Sequence, residues 1–139
     1  MTSLLGKWTY RSFHNNPAAV TDDAQTALGL FFAEAVFTFS EATDARIGGV
    51  IDWQGGGLDL AGTVSQPGAT SLLTVHIVGS GRPGTGTDGW EYDYHGNLAY
   101  EWPNGVGQVP ALVGNVIRAK PHGAAQAGYV ASFVAVKQP

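Results

Sequence analysis

The strongest constraint on this chain is an alternation of period two. Short runs of alternating apolar and polar residues recur along most of its length, separated by Gly, Pro, Asn and Asp. Successive strand side chains point to opposite faces, so such runs read as strands with one buried face. Eight or nine occur, over residues 7–13, 30–40, 46–53, 58–64, 72–78, 90–94, 98–102, 111–120 and 128–137. Alternation leaves open whether 90–94 and 98–102 are two strands turning at His95-Gly96-Asn97 or one. Gly55-Gly56-Gly57 reads as a hairpin turn, because glycine reaches positive φ without a Cβ clash, and Pro121-His122-Gly123 reads as the connection between the last two strands. One segment has helical character: Thr21 can cap it, Asp22 and Asp23 suit its N-terminal dipole, Ala24 to Leu28 propagate it and Gly29 ends it. That segment is too short to cover a sheet. An open antiparallel sheet of eight strands with no helix over its apolar face must close on itself or fold into a sandwich. The hairpin spacing favours an all-β fold, a single closed antiparallel up-and-down β-barrel of about eight strands with one short helical segment in the first long loop; a sandwich is the alternative. No repeat, linker or composition break divides residues 1–139, which reads as a single domain.

Composition removes several functional classes. Seven basic and eleven acidic side chains give a formal net charge of −4, and no Lys/Arg cluster is present to neutralise a run of phosphates, so nucleic acid is not an expected partner. No stretch nears the roughly 18 apolar residues that cross a bilayer, and Met1 to Lys7 lacks a basic region followed by an apolar segment. The expectation is a soluble, cytoplasmic chain without a membrane partner. There is no Cys, hence no disulfide framework, no thiolate metal site and no thiol nucleophile, and stability has to come from packing.

Gly6-Lys7-Trp8 at the head of the first strand resembles the Gly-x-Trp signature that opens lipocalin and avidin-type barrels, together the calycins. The resemblance implies that Trp8 plugs one end of the barrel and that a basic residue from a late strand, Arg118 or Lys137, packs over its ring, an arrangement favoured by area burial and cation–π attraction. It also implies that residues 15–28 take the position of the lid-like first loop at the open end, and it allows a homo-oligomer. The chain departs from lipocalins in lacking Cys and a final helix. It departs from avidins in lacking a recognisable set of polar biotin-ring contacts, so the resemblance leaves the ligand class open.

The densest aromatic region runs from Trp90 through Tyr92 and Tyr94 to Tyr100 and Trp102. Alternation puts Trp90, Tyr92 and Tyr94 on one face and Glu91 and Asp93 on the other. Turned inward, the rings either line a pocket for a planar apolar ligand or simply fill a small core, and an eight-stranded barrel is wide enough for either. The expected ligand-binding residues are Tyr10, Trp53, Trp90, Tyr92, Tyr94, Trp102 and Arg118. Glu91 and Asp93 form a same-face carboxylate pair, which reads as an acid–base couple or as a solvated exterior. The opposite phase would bury Glu34 and Arg118, and a buried Arg118 would require a carboxylate partner.

His14, His76, His95 and His122 lack the close spacing of helix or hairpin metal sites, so neither a metal nor any other cofactor is implied. The run from Gly79 to Gly84 matches Gly-x-Gly-x-x-Gly. The residues after it cannot start the helix that a dinucleotide pyrophosphate needs, and a mobile hairpin loop carrying Arg82 is the better reading. Residues 103–110 read as a rim loop in which Asn104 and Gln108 are available to a ligand. Three functions fit these features: a protein binding a small apolar or aromatic molecule inside the barrel, a β-barrel isomerase, cyclase or lyase using Arg118, a Tyr hydroxyl or a carboxylate as proton carrier, and a structural or oligomeric module with a filled core.

Overall fold

A computed structural model describes residues 3–139. Its eight strands are β1 (Gly6–His14), β2 (Phe31–Ala42), β3 (Arg46–Trp53), β4 (Gly56–Ser65), β5 (Thr74–Gly81), β6 (Glu91–Leu98), β7 (Ala111–Arg118) and β8 (Val130–Lys137). Each pairs antiparallel with its neighbour in the chain, and β1 pairs with β8 to close the barrel. Register irregularities at Ser12/Phe13 and Phe39/Glu41 add local bend where β1 and β2 wrap the cylinder. The sheet is therefore closed, and the sandwich alternative is excluded.

Two local expectations change. His95-Gly96-Asn97 is not a turn: all three residues pair within β6, and 99–102 leaves the sheet. The helix α1 (Ala24–Leu28) has the expected extent, but its cap is Asp23, whose carboxylate accepts from the Gln25 amide at 3.0 Å and from the Thr26 hydroxyl at 2.9 Å. Thr21 acts one step earlier, accepting from the Asp23 amide. A short 3₁₀ turn at Pro17–Ala19, capped by Asn16, precedes it. Among the described residues no helix is long and apolar enough to cross a membrane.

The barrel has two unlike ends. At the end holding the start of β1, Trp8 is fully buried, its indole N–H donates to the Leu4 carbonyl at 2.9 Å, and the Lys137 ammonium lies 5.8 Å from its ring centroid. Of the two cations considered for that position, Lys137 takes it because it is the direct cross-strand partner of Trp8. Above Trp8 the interior is filled by a cluster of rings. Phe37 packs on Phe39 at 5.1 Å, Tyr10 at 5.0 Å and Tyr94 at 5.4 Å, while Phe133 stacks on Tyr10 at 5.5 Å. Each such pair adds about 0.5–1.5 kcal/mol beyond area burial. Small inward residues make room for the rings: a Cβ at Gly79 would lie 3.0 Å from Leu58 and 3.1 Å from Tyr94. Half of the barrel is thus a packed core, and the other half is hollow.

Candidate ligand-binding cavity

The hollow half opens at the opposite end, where β1, β3, β5 and β7 finish. A cavity of about 480 Å³ is lined there by Tyr10, Phe32, Ile51, Trp53, Leu58, Trp90, Tyr92, Tyr94, Val116, Arg118 and His122, with Glu34 and Gln54 at its rim. Six of the seven residues expected from the sequence to contact a ligand converge on it. Tyr10, Tyr92 and Tyr94 are inward positions of β1 and β6, Trp53 ends β3, Trp90 immediately precedes β6, and Arg118 ends β7. Trp102 does not join them. It lies in the 99–110 connection at the far end, 67% exposed, against Tyr100, because β6 runs on through residue 98 and carries it away from the opening.

The rings are organised as walls. Trp53 and Trp90 lie nearly parallel with centroids 6.1 Å apart, and His122 lies flat on Trp90 at 3.7 Å and 11°. His122 reaches that place because the 119–129 connection folds back through a His122–Ala125 bridge. Tyr10 and Tyr94 form the buried floor. Burial raises both phenols above their ordinary pKa, Tyr94 strongly, so both stay neutral at physiological pH.

The polar groups at the opening form one chain. The Arg118 Nε donates to the Tyr92 hydroxyl at 2.9 Å, and that hydroxyl lies 2.8 Å from His122 Nε2. The Tyr92 hydroxyl can give its proton to His122 Nε2 when the imidazole is neutral and carries its own proton on Nδ1. The electrostatics agree: desolvation first, and the Arg118 charge second, lower the His122 pKa. Arg118 also donates to the Gln126 carbonyl at 3.0 Å and lies over the rings of Tyr92 and Tyr129. Tyr129 is in turn hydrogen-bonded to His14.

Among the described residues Arg118 has no carboxylate partner. The ion pairs among the described residues are Arg11–Glu34 at 2.9 Å, Arg82–Asp52 at 3.0 Å, Arg82–Asp59 at 3.2 Å and Lys120–Glu91 at 3.6 Å. Glu34 is therefore an exposed rim residue paired with Arg11, and Glu91 and Asp93 face outward as alternation places them. The opening consequently presents a guanidinium that is satisfied by neutral oxygens and paired with no carboxylate among the described residues.

Residues 15–28 lie at the cavity end, the position the resemblance implies, with Asn15 held to Val130 and Ser132 of β8, and none of them lines the cavity. Two other loop expectations are corrected. The segment after Gly79 is tied down: Gly79 to Gly81 complete β5, Arg82 is clamped between Asp52 and Asp59, and the buried Thr87 hydroxyl donates to the Gly57 carbonyl at 2.8 Å. Gln108 faces away from the cavity at the far end and exchanges hydrogen bonds with the Trp102 backbone at 3.0 and 2.7 Å. The contribution of His122 was not visible in the sequence, where Pro121-His122-Gly123 carries only a turn signal.

Comparison of the chain with models of known protein families, with curated proteins and with solved structures gave no significant match.

Proposed function

We propose that this barrel binds a small, planar, apolar or aromatic molecule, with any anionic end turned to Arg118. The observation that carries the reading is the aromatic-walled cavity of about 480 Å³ with a guanidinium at its opening that pairs with no carboxylate among the described residues. That volume falls in the range of small-molecule sites, which combine apolar walls with a few polar groups that fix orientation. The stacked Trp53, Trp90 and His122 offer flat faces, and the neutral Tyr10 and Tyr94 form an uncharged floor. The calycin resemblance supports the same reading, because Trp8 beneath Lys137 at one end and a ligand cavity at the other is the arrangement it implies.

The test is a fluorescence titration with an anionic aromatic probe, anilinonaphthalene sulfonate, beside its uncharged relative phenylnaphthylamine. The expected result is saturable binding of one probe per folded chain, with Trp quenching. Arg118→Gln should weaken the sulfonate about 10- to 100-fold, the loss of one charged hydrogen bond, and leave the neutral probe nearly unchanged. Trp90→Ala should weaken both, and Trp102→Ala neither. Non-saturable binding, or equal effects of Trp90→Ala and Trp102→Ala, would refute the reading.

A second reading has one observation behind it. The Arg118–Tyr92–His122 chain places a proton acceptor on a phenol whose oxygen already faces a cation, which is how a proton carrier for an isomerase, cyclase or lyase would be built. The two readings separate on a molecule retained by the purified protein in native mass spectrometry. A binder releases it unchanged, whereas an enzyme converts it, and Tyr92→Phe then abolishes turnover while leaving affinity within about threefold of the original.

A further inference from the structure

The outer wall of the barrel carries a second cluster that the cavity does not use. His76 on β5 and His95 on β6 are direct cross-strand partners, and their rings stack with centroids 4.0 Å apart and planes 22° from parallel. Asp93 precedes His95 by two residues and so faces the same side of β6. One ligand atom from each of the three lies within 4.8 Å of the other two. Linear spacing conceals this grouping, since His76 and His95 are brought together only by the β5–β6 register.

A second observation concerns the carboxylate itself. Asp93 Oδ1 is buried and has no hydrogen-bond partner. Its cross-strand neighbours are Val78 on one side and Ile117 on the other, which offer no side-chain donor. A buried carboxylate oxygen without a donor is costly, and a cation beside it removes that cost. Two imidazoles and a carboxylate match the donor set of zinc, cobalt and nickel sites, and the imidazoles argue against calcium or magnesium, which take oxygen ligands. Ligand atoms about 2.0–2.2 Å from one zinc ion lie about 3.3 Å from each other in a tetrahedral site, and because an imidazole donates in its ring plane, the two rings must turn out of their stack for their nitrogens to converge on one ion. Beside the two histidines the wall has a depression, flanked by Thr63 and Asn115.

The geometry points to a site for a borderline divalent transition-metal ion, such as zinc, formed by His76, His95 and Asp93 on the outside of the β5–β6 hairpin. It lies across the wall from the cavity, since Tyr94, between Asp93 and His95, faces inward. Three ligands on two hydrogen-bonded strands tie that hairpin together, and the open position leaves the ion accessible to a further ligand.

The test uses untagged, metal-free full-length protein titrated with zinc chloride by calorimetry and with cobalt chloride by visible absorption. The expected result is one ion per chain, cobalt bands of a nitrogen- and oxygen-ligated site, and a rise in Tm on addition of zinc. His76→Ala and His95→Ala should each weaken binding at least 100-fold, and Asp93→Asn about 10-fold. His122→Ala, which alters the cavity alone, should leave it intact. Far-UV circular dichroism of the metal-free variants establishes that they remain folded. Absence of uptake at tenfold excess of zinc, or uptake unchanged in the folded His76→Ala/His95→Ala double variant, would overturn the assignment.

Discussion

Dividing the barrel into a filled half and a hollow half has a measurable consequence, because the same kind of truncation should cost very different amounts in the two. Phe37 is fully buried and touches Tyr10, Phe39, Tyr94 and Phe133. A buried aromatic side chain removes about 150 Å² or more from water, and at about 25 cal/mol per Å² this corresponds to about 4 kcal/mol. That figure agrees with the about 3–5 kcal/mol typical of Phe→Ala in a core that cannot collapse. Per-residue unfolding entropies of about 2.1 cal/mol/K over 139 residues convert 4 kcal/mol into a fall in Tm of about 14 °C. Trp53 is larger, but one side of it faces the cavity and its ring partner is Trp90 at 6.1 Å. Its truncation enlarges a space that solvent already reaches, and the expected fall in Tm for Trp53→Ala is below about 5 °C. Scanning calorimetry of the two variants beside the parent gives the comparison directly. Equal shifts, or a fall of under 5 °C for Phe37→Ala, would refute the division of the interior into core and container.

Two further predictions concern protons. His122 should titrate by NMR with a midpoint below the ordinary histidine value of about 6.5, and Arg118→Ala should raise it by removing the nearby charge while leaving the desolvation in place. Because the folded form holds this proton less tightly than the unfolded chain, the contribution of His122 to stability is complete above the unfolded pKa and is lost as pH falls towards the folded one; a midpoint at or above 6.5 in the parent would contradict the structure. At the alkaline limit, Tyr10 and Tyr94 hold their protons in the fold, so their contribution is complete below about pH 10 and is lost as pH rises through their raised folded values. Ultraviolet titration beside Tyr10→Phe and Tyr94→Phe variants should therefore show these two phenols ionising only on alkaline unfolding, and their ionisation near pH 10 in the folded protein would count against a buried floor.

Strand periodicity carried most of the architecture because alternation reports directly on which face is buried. Alternation set Trp90, Tyr92 and Tyr94 on the face opposite Glu91 and Asp93, and hairpin spacing without a covering helix pointed to closure, but which face turned inward was left to the barrel to decide. The failures occur where tertiary register outweighs local signals. Gly96 resembles a turn residue in the sequence, yet in the barrel it is a strand residue whose missing side chain leaves room for Phe133, where an added Cβ would lie 3.0 Å away. Misreading that glycine also put Trp102 near the opening. His122 was illegible because a loop residue has no periodicity, and its stacking on Trp90 depends on how the β7–β8 connection folds back. The His76–His95 pairing was hidden for a related reason: nineteen positions of sequence separation say nothing until the β5–β6 register is known.

The connectivity of the cylinder has a kinetic corollary. Seven of its seams join strands adjacent in the chain, and the eighth joins β1 to β8. Local hairpins form quickly, whereas a contact spanning nearly the whole chain carries the largest loop-closure cost. A curled ribbon with every hairpin made but the last seam unsealed would present two bare edges, one of them beside the outward Val134 and Val136. Such edges recruit other strands, so aggregation during refolding should begin at the β1–β8 junction, and covalently stapling it would suppress that route.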